Sequence, residues 1–122
     1  MPSGYRAVGN AMNPAVTYVA AYRPHPGKQA QLLDLVRRHV PTLRREGLAT
    51  DHPALLLKAA DGTLIEVASW KSEEHSRAAH HNAAVQELWS GFAACCDFLA
   101  LKDLAEAQRM FAHFERVEGV VT

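Results

Sequence analysis

Residues 55–70 read LLLKAADGTLIEVASW, and this stretch decides the fold. Its two apolar segments meet at Asp61-Gly62, a dipeptide that is the strongest short-range signal for a β-hairpin. In the second segment the even-numbered residues share one face, because side chains alternate along a strand. Glu66 and Trp70 are therefore expected to border the same cavity or interface.

The sequence on either side of this hairpin alternates between strand and helix patterns. Pro41 lies inside the first helical pattern, where we expect a kink or a restart. Strand, helix, hairpin, helix, strand is the split-βαβ, ferredoxin-like order, so we predict an α+β fold with an antiparallel sheet and helices on one face. The further predicted elements are a strand at 16–22, a helix at 28–46, one helix at 72–96 capped by Ser72, a strand at 98–101, a short helix at 104–108 and an extended segment at 111–117.

The second face of such a sheet needs a cover, since it would otherwise expose a large apolar patch. A chain of 122 residues offers no obvious second layer. We therefore predict a symmetric homodimer whose subunits cover each other's sheets, as in a dimeric α+β barrel.

Composition limits the classes of function. The 13 basic and 13 acidic side chains cancel, which argues against a nucleic-acid or anionic-membrane partner. No apolar stretch approaches the ~20 residues of a transmembrane helix, and the N-terminus lacks the features of a signal peptide. We expect a cytoplasmic protein with a flexible N-terminal arm at 1–15 and a single domain at 16–122.

The two cysteines, Cys95 and Cys96, are adjacent and lack the spaced partners of a zinc site. On a helix they would point about 100° apart, so we expect one in the core and one at its side. Buried apolar residues and a redox pair are the two interpretations.

Residues 69–92, SWKSEEHSRAAHHNAAVQELWSGF, resemble the antibiotic-biosynthesis-monooxygenase-like family of dimeric α+β barrels. The family pattern is a strand that ends in Trp, a Ser- or Asp-capped helix, and a His about ten residues after the Trp. Here these residues are Trp70, Ser72 and His80. The resemblance covers residues 16–117, and the end of the chain, LAEAQRMFAHF at 104–114, is similar to one largely uncharacterised branch.

The resemblance implies a scaffold with many functions, among them cofactor-independent oxygenases of aromatic polyketides, quinol oxygenases and haem-degrading enzymes. The haem-degrading branch uses an Asn on the first strand, a Trp in the second helix and a His ten residues later. This chain has no Asn at 20–22, and the two helix positions hold Ala79 and Trp89. We expect no haem and no other cofactor.

His80 is the candidate catalytic residue, as a general base whose pKa lies near operating pH. The alternative is a helix histidine that bonds only to a backbone carbonyl or to water. His75, His80 and His81 are spaced by five, six and one, so they do not predict a metal site. The candidate substrate-binding residues, which would equally make a packed core or a subunit seam, are Tyr18, Tyr22, Glu66, Trp70 and Trp89.

Two hypotheses of function follow. The first is a cofactor-independent monooxygenase that acts on a small aromatic or enolisable molecule. The second is a small-ligand-binding or stress-associated dimer without turnover.

Overall fold

The computed structural model describes residues 14–118. It shows an α+β fold in which three α-helices within this range pack on a five-stranded antiparallel sheet. The predicted N-terminal arm lies almost wholly outside the described residues. The strands are β1 (Val16–Pro24), β2 (Leu55–Lys58), β3 (Leu64–Trp70), β4 (Cys96–Leu99) and β5 (Glu115–Arg116), and the helices are α1 (Gln29–Arg45), α2 (Glu73–Ala79) and α3 (Ala83–Cys95).

The sheet order is β4-β1-β3-β2-β5, which is consistent with a ferredoxin-like arrangement extended by one edge strand. The predicted hairpin joins β2 to β3, and its turn residue Gly62 has a φ of 93°, which favours glycine. The Asp61 side chain accepts a hydrogen bond from the Thr63 backbone N–H at 2.9 Å. Strand register pairs Tyr18 with Ala68, so both side chains lie on the face that the helices cover.

The prediction of one helix over 72–96 is wrong, because the chain turns between α2 and α3. Ser72 caps α2 as expected, since its hydroxyl accepts from the His75 N–H at 3.2 Å. A second cap follows, in which the side chain of Asn82 accepts from the Val85 N–H at 3.0 Å. The two caps give α3 a direction of its own.

Helix α1 runs through Pro41 without the predicted restart. Proline removes one N–H and frees the carbonyl four residues earlier, that of Arg37. The last strands also differ from expectation: β4 begins at Cys96 rather than at residue 98, and only 115–116 of the predicted 111–117 segment form a strand.

The second face of the sheet is partly covered by the chain itself, which was not predicted. After β4, residues 101–114 form two short 3₁₀-helices and irregular backbone, and we call them the cover segment. Leu104 and Phe114 from this segment pack on Ala21 and Ile65 of the sheet. The neighbouring apolar side chains on this face, those of Val19, Leu55 and Val67, are less covered, and Val19 is 44 % exposed.

Cys95 and Cys96 are both buried, so the expectation that one lies at the side is wrong. Cys95 ends α3 and Cys96 begins β4, so the helical angle between them does not apply. Burial raises the pKa of the Cys96 thiol to about 11, and Cys95 and Asp97 add to the shift. Both are free thiols, and these facts favour the interpretation as buried apolar residues.

Candidate functional site

A buried carboxylate organises the helix-covered face of the sheet. Glu66 is 2 % exposed, and its Oε1 accepts hydrogen bonds from the Tyr22 hydroxyl at 2.8 Å and the Tyr18 hydroxyl at 3.1 Å. The Nδ1 atom of His39, itself 3 % exposed, lies 2.8 Å from the same oxygen. Four polar side chains from three elements therefore meet inside an otherwise apolar layer.

Backbone geometry places these groups together. Tyr18 and Tyr22 are four residues apart on β1, so both point to the same face. Glu66 is paired in register with Ala20, midway between the two tyrosines on the neighbouring strand. His39 completes the cluster from α1, three residues after Val36 and four before Leu43 on the buried helix face.

Trp89 fixes the tautomer of His39. The indole N–H of Trp89 donates to His39 Nε2 at 2.9 Å, and an indole nitrogen can only donate. His39 Nε2 must therefore be an acceptor without a proton, which leaves the ring proton on Nδ1, where it donates to Glu66. The His39–Glu66 contact is thus a hydrogen bond from a neutral imidazole to a carboxylate rather than an ion pair.

Three donors converge on Glu66 Oε1, an arrangement that suits a carboxylate because a carboxylate only accepts. The 3.5 Å separation between the Tyr18 hydroxyl and His39 Nδ1 is not a bond of the network, because both atoms direct their protons to Glu66. The donors thereby offset part of the cost of burying a charge without a cation beside it.

The two tyrosines are held as neutral phenols. Burial is the main cause that raises the pKa of Tyr22 well above its ordinary value, and the charge of Glu66 adds to it. The pKa of Tyr18 is raised for the same reasons. Each phenol therefore keeps the proton that it donates to the carboxylate.

A cavity of about 450 Å³ opens beside this network. It lies where β4 stops pairing with β1: β4 covers only residues 21–24, and no other strand within residues 14–118 pairs with the first half of β1 on that side. Its volume is in the range of small-molecule sites. The cavity is lined by Tyr18, Val19, Ala20, Tyr22, His39, Trp70, Trp89, Phe92 and Phe98.

The lining defines the ligand chemistry. Its side chains are mostly aromatic or aliphatic, and none carries a permanent charge. The polar side-chain groups of these residues include the tyrosine hydroxyls, His39 Nε2 and the Trp89 N–H. Such a cavity suits a flat, neutral molecule with one or two polar groups.

The structure brings together most of the residues singled out from the sequence. Tyr18, Tyr22, Trp70 and Trp89 all line the cavity, and Glu66 is bonded to both tyrosines. His80 lies elsewhere. It is exposed, ends α2 as its C-cap, and touches the site only through an edge contact to the Trp89 ring, with centroids 5.1 Å apart.

His39 was missed by the sequence analysis, although a signal existed. It lies four residues after Leu35 and four before Leu43, so helical spacing puts it on the apolar face. His39 was not among the residues considered in the sequence analysis. The chemistry of the site depends on this residue because its Nε2 is the one imidazole acceptor that faces the cavity from within residues 14–118.

A larger and shallower cleft of about 710 Å³ lies at the end of the sheet near Thr50–Pro53 and Lys71–His75. It contains a Ser72 hydroxyl 2.8 Å from His75 Nδ1, but that hydroxyl also caps α2. The contact between Ser72 and His75 is therefore explained by helix capping. No group of three or more His, Cys, Asp or Glu suited to a metal ion occurs within the described range 14–118.

No helix between residues 14 and 118 has the length and apolar character to cross a membrane. Comparison of the chain with protein-family models, with curated proteins and with solved structures finds no match.

Proposed function

We propose that the protein is an enzyme that deprotonates and oxygenates a small aromatic or enolisable molecule in the cavity beside Glu66, without a cofactor. The observation that carries this proposal is the His39–Glu66 pair at the wall of an aromatic cavity. An imidazole whose far nitrogen donates to a buried carboxylate is the arrangement of a general base, because the carboxylate stabilises the imidazolium that forms.

His39 Nε2 is the atom that takes the proton. The Nδ1–H bond to Glu66 at 2.8 Å holds the ring in the required tautomer. Tyr18 and Tyr22 hold the carboxylate in place and do not act as acids, because their raised pKa keeps them protonated. The aromatic rings of Trp70 and Phe98 border the space in which the substrate would lie.

The reaction balances with molecular oxygen as the only co-reactant. Loss of a proton from an activated CH₂ group gives a carbanion, which transfers two electrons to O₂ as a new C–O bond forms. Protonation gives a hydroperoxide at that carbon. Loss of the remaining hydrogen at that carbon and cleavage of the O–O bond then give a carbonyl and one water.

The same proposal includes the family and the assembly that the sequence suggested. The α+β fold and the strand order are compatible with an antibiotic-biosynthesis-monooxygenase-like domain. The open row on the second sheet face, Val19, Leu55 and Val67, is where a second copy would pack to make a dimeric barrel.

Light scattering at micromolar concentration tests the dimer. The mass should be twice that of the monomer, and Val19→Glu should lower it. A monomer mass for the wild-type protein at that concentration would contradict the dimer.

Anthrone is a suitable probe of the chemistry because its CH₂ lies between two aryl rings and is acidified by the carbonyl. The expected result is uptake of one O₂ for each anthraquinone formed, above the rate of the reaction without protein. His39→Leu should abolish the added rate. His81→Ala, on an exposed residue of the α2–α3 turn, is the matched control and should retain it.

The second candidate function is ligand binding without turnover. It is favoured by one observation: Trp89 already occupies His39 Nε2, so the imidazole has no free acceptor until that bond opens. Binding of anthrone, seen as a change in the emission of Trp70 and Trp89, with no oxygen uptake above background would support this second candidate and overturn the first. If anthrone neither binds nor is oxidised, both candidate functions are wrong.

A further inference from the structure

The hydrogen bond between Trp89 and His39 points to the chemical class of the ligand. Both partners line the cavity, and the Trp89 side chain is only partly buried, so the bond is the part of the polar network that a ligand can reach. The remaining bonds of the network lie on the sheet side around Glu66, where both His39 and Glu66 are almost fully buried.

We infer that the cavity selects aromatic alcohols, whose hydroxyl inserts between the Trp89 N–H and His39 Nε2. This inference rests on the proposed function, since it concerns the same cavity. A hydroxyl group both donates and accepts. It can therefore donate to His39 Nε2 and accept from the Trp89 N–H, which replaces one hydrogen bond by two.

Other polar groups fit this place less well. An aryl ether accepts only, so it could take the Trp89 N–H but would leave His39 Nε2 without a donor. A carboxylate has no donor either, and its charge would lie near ionised Glu66 with no cation among the lining residues. The apolar lining supplies the contact area for a flat ring system.

Insertion also prepares the proposed base. While the 2.9 Å hydrogen bond from Trp89 Nε1 to His39 Nε2 is formed, Nε2 cannot accept a proton from a ligand. Once a hydroxyl separates the two rings, its own proton points at Nε2. Trp89 then acts as a positioning residue, because its N–H holds the ligand oxygen beside His39 Nε2.

Nitrogen NMR on the labelled protein tests this directly. The sequence has two tryptophans, both in the cavity, so two indole N–H signals report on it, and Trp70→Phe assigns them. 2-Naphthol should shift the Trp89 signal strongly, because its acceptor changes from an imidazole nitrogen to an oxygen. 2-Methoxynaphthalene should leave that hydrogen bond in place and bind about three- to tenfold more weakly, the range expected for one net hydrogen bond.

His39→Leu should remove this preference, because the hydroxyl loses its acceptor. Equal affinity for the two ligands with an unchanged Trp89 signal would overturn the inference and leave ligand binding in the cavity intact. A preference that persists in His39→Leu would also overturn it. If neither ligand moves either indole signal of the wild-type protein, the cavity is not a binding site, and the proposed function fails with the inference.

Discussion

The two faces of β3 differ although their residues alternate along one strand. On one face, Glu66 is buried among Tyr18, Tyr22 and His39. On the other, its neighbour Ile65 is equally buried, and Leu104 and Phe114 of the cover segment pack on it, while the buried Glu106 of that segment accepts from the Ala60 N–H of the hairpin turn. The packing on Ile65 itself needs no polar group, and we propose that the network around Glu66 serves the cavity rather than the fold.

Removal of the carboxylate should have the largest effect on stability. Glu66→Leu leaves three buried donors without an acceptor, and we expect the free energy of unfolding to fall by about 3–5 kcal/mol. Urea unfolding followed by far-UV circular dichroism measures it. Glu115→Leu, on an exposed strand residue, is the control and should change stability by no more than about 0.5 kcal/mol. If Glu66→Leu and Glu115→Leu lower the free energy of unfolding equally, the buried hydrogen bonds to Glu66 do not contribute to stability.

The opposite face should respond to lost volume alone. Ile65→Ala removes a side chain that is 2 % exposed, and we expect a loss of about 2–4 kcal/mol from the cavity left behind. Affinity for 2-naphthol should stay within about twofold of wild type at denaturant-free conditions, because no contact to the ligand changes. A change in naphthol affinity as large as that of His39→Leu would remove the distinction between the faces.

High pH should destabilise the fold through the two phenols. Burial raises the pKa of Tyr18 and Tyr22 in the folded state, while both ionise near pH 10 when unfolded. Stability from these groups is complete below pH 10. Above it the unfolded chain loses two protons that the folded chain keeps, so the free energy of unfolding falls by about 2.7 kcal/mol per pH unit.

Tyr22→Phe should halve that slope, since one raised pKa is removed. The absorbance of ionised tyrosine at 295 nm gives an independent check: the signals of Tyr18 and Tyr22 should appear together with unfolding. Their titration near pH 10 in the folded protein would show that the hydroxyls are not held by Glu66.

The smallest effect is expected at His80. Its ring is exposed and meets Trp89 edge-on, so His80→Ala should cost less than about 1 kcal/mol. Anthrone oxidation and naphthol affinity should stay within about twofold of wild type, because the residue does not line the cavity. If His80→Ala abolishes oxidation while His39→Leu does not, His80 is the base, and the role proposed for His39 is wrong.

Sequence patterns predicted what depends on neighbours along the chain. Asp61-Gly62 marked the hairpin, and strand alternation correctly placed Glu66 and Trp70 on one face of β3. The break before α3 was local as well, but Asn82 was not identified as a helix cap in the sequence analysis.

The features that were not predicted depend on contacts between residues that are far apart in the sequence. Glu66 meets His39 across 27 residues, and no periodicity within β3 indicates that a helix residue will supply its donor. A short helix was predicted at 104–108 and a 3₁₀-helix lies at Ala105–Gln108, but nothing in the local pattern indicated that Leu104 and Phe114 pack on the second face of the sheet. Their packing on Ile65 decides how much of the second sheet face stays open.

The central claim is that the polar network is kept for the site and not for the fold. One variant tests it: Tyr18→Phe, Tyr22→Phe, His39→Leu, Glu66→Leu and Trp89→Phe combined, in which the donors and acceptors of the network are removed together. Its free energy of unfolding should equal or exceed that of the wild type, because a matched apolar replacement of a buried polar cluster is neutral or stabilising. A combined variant as unstable as Glu66→Leu alone would contradict the account and make the network a requirement of the fold.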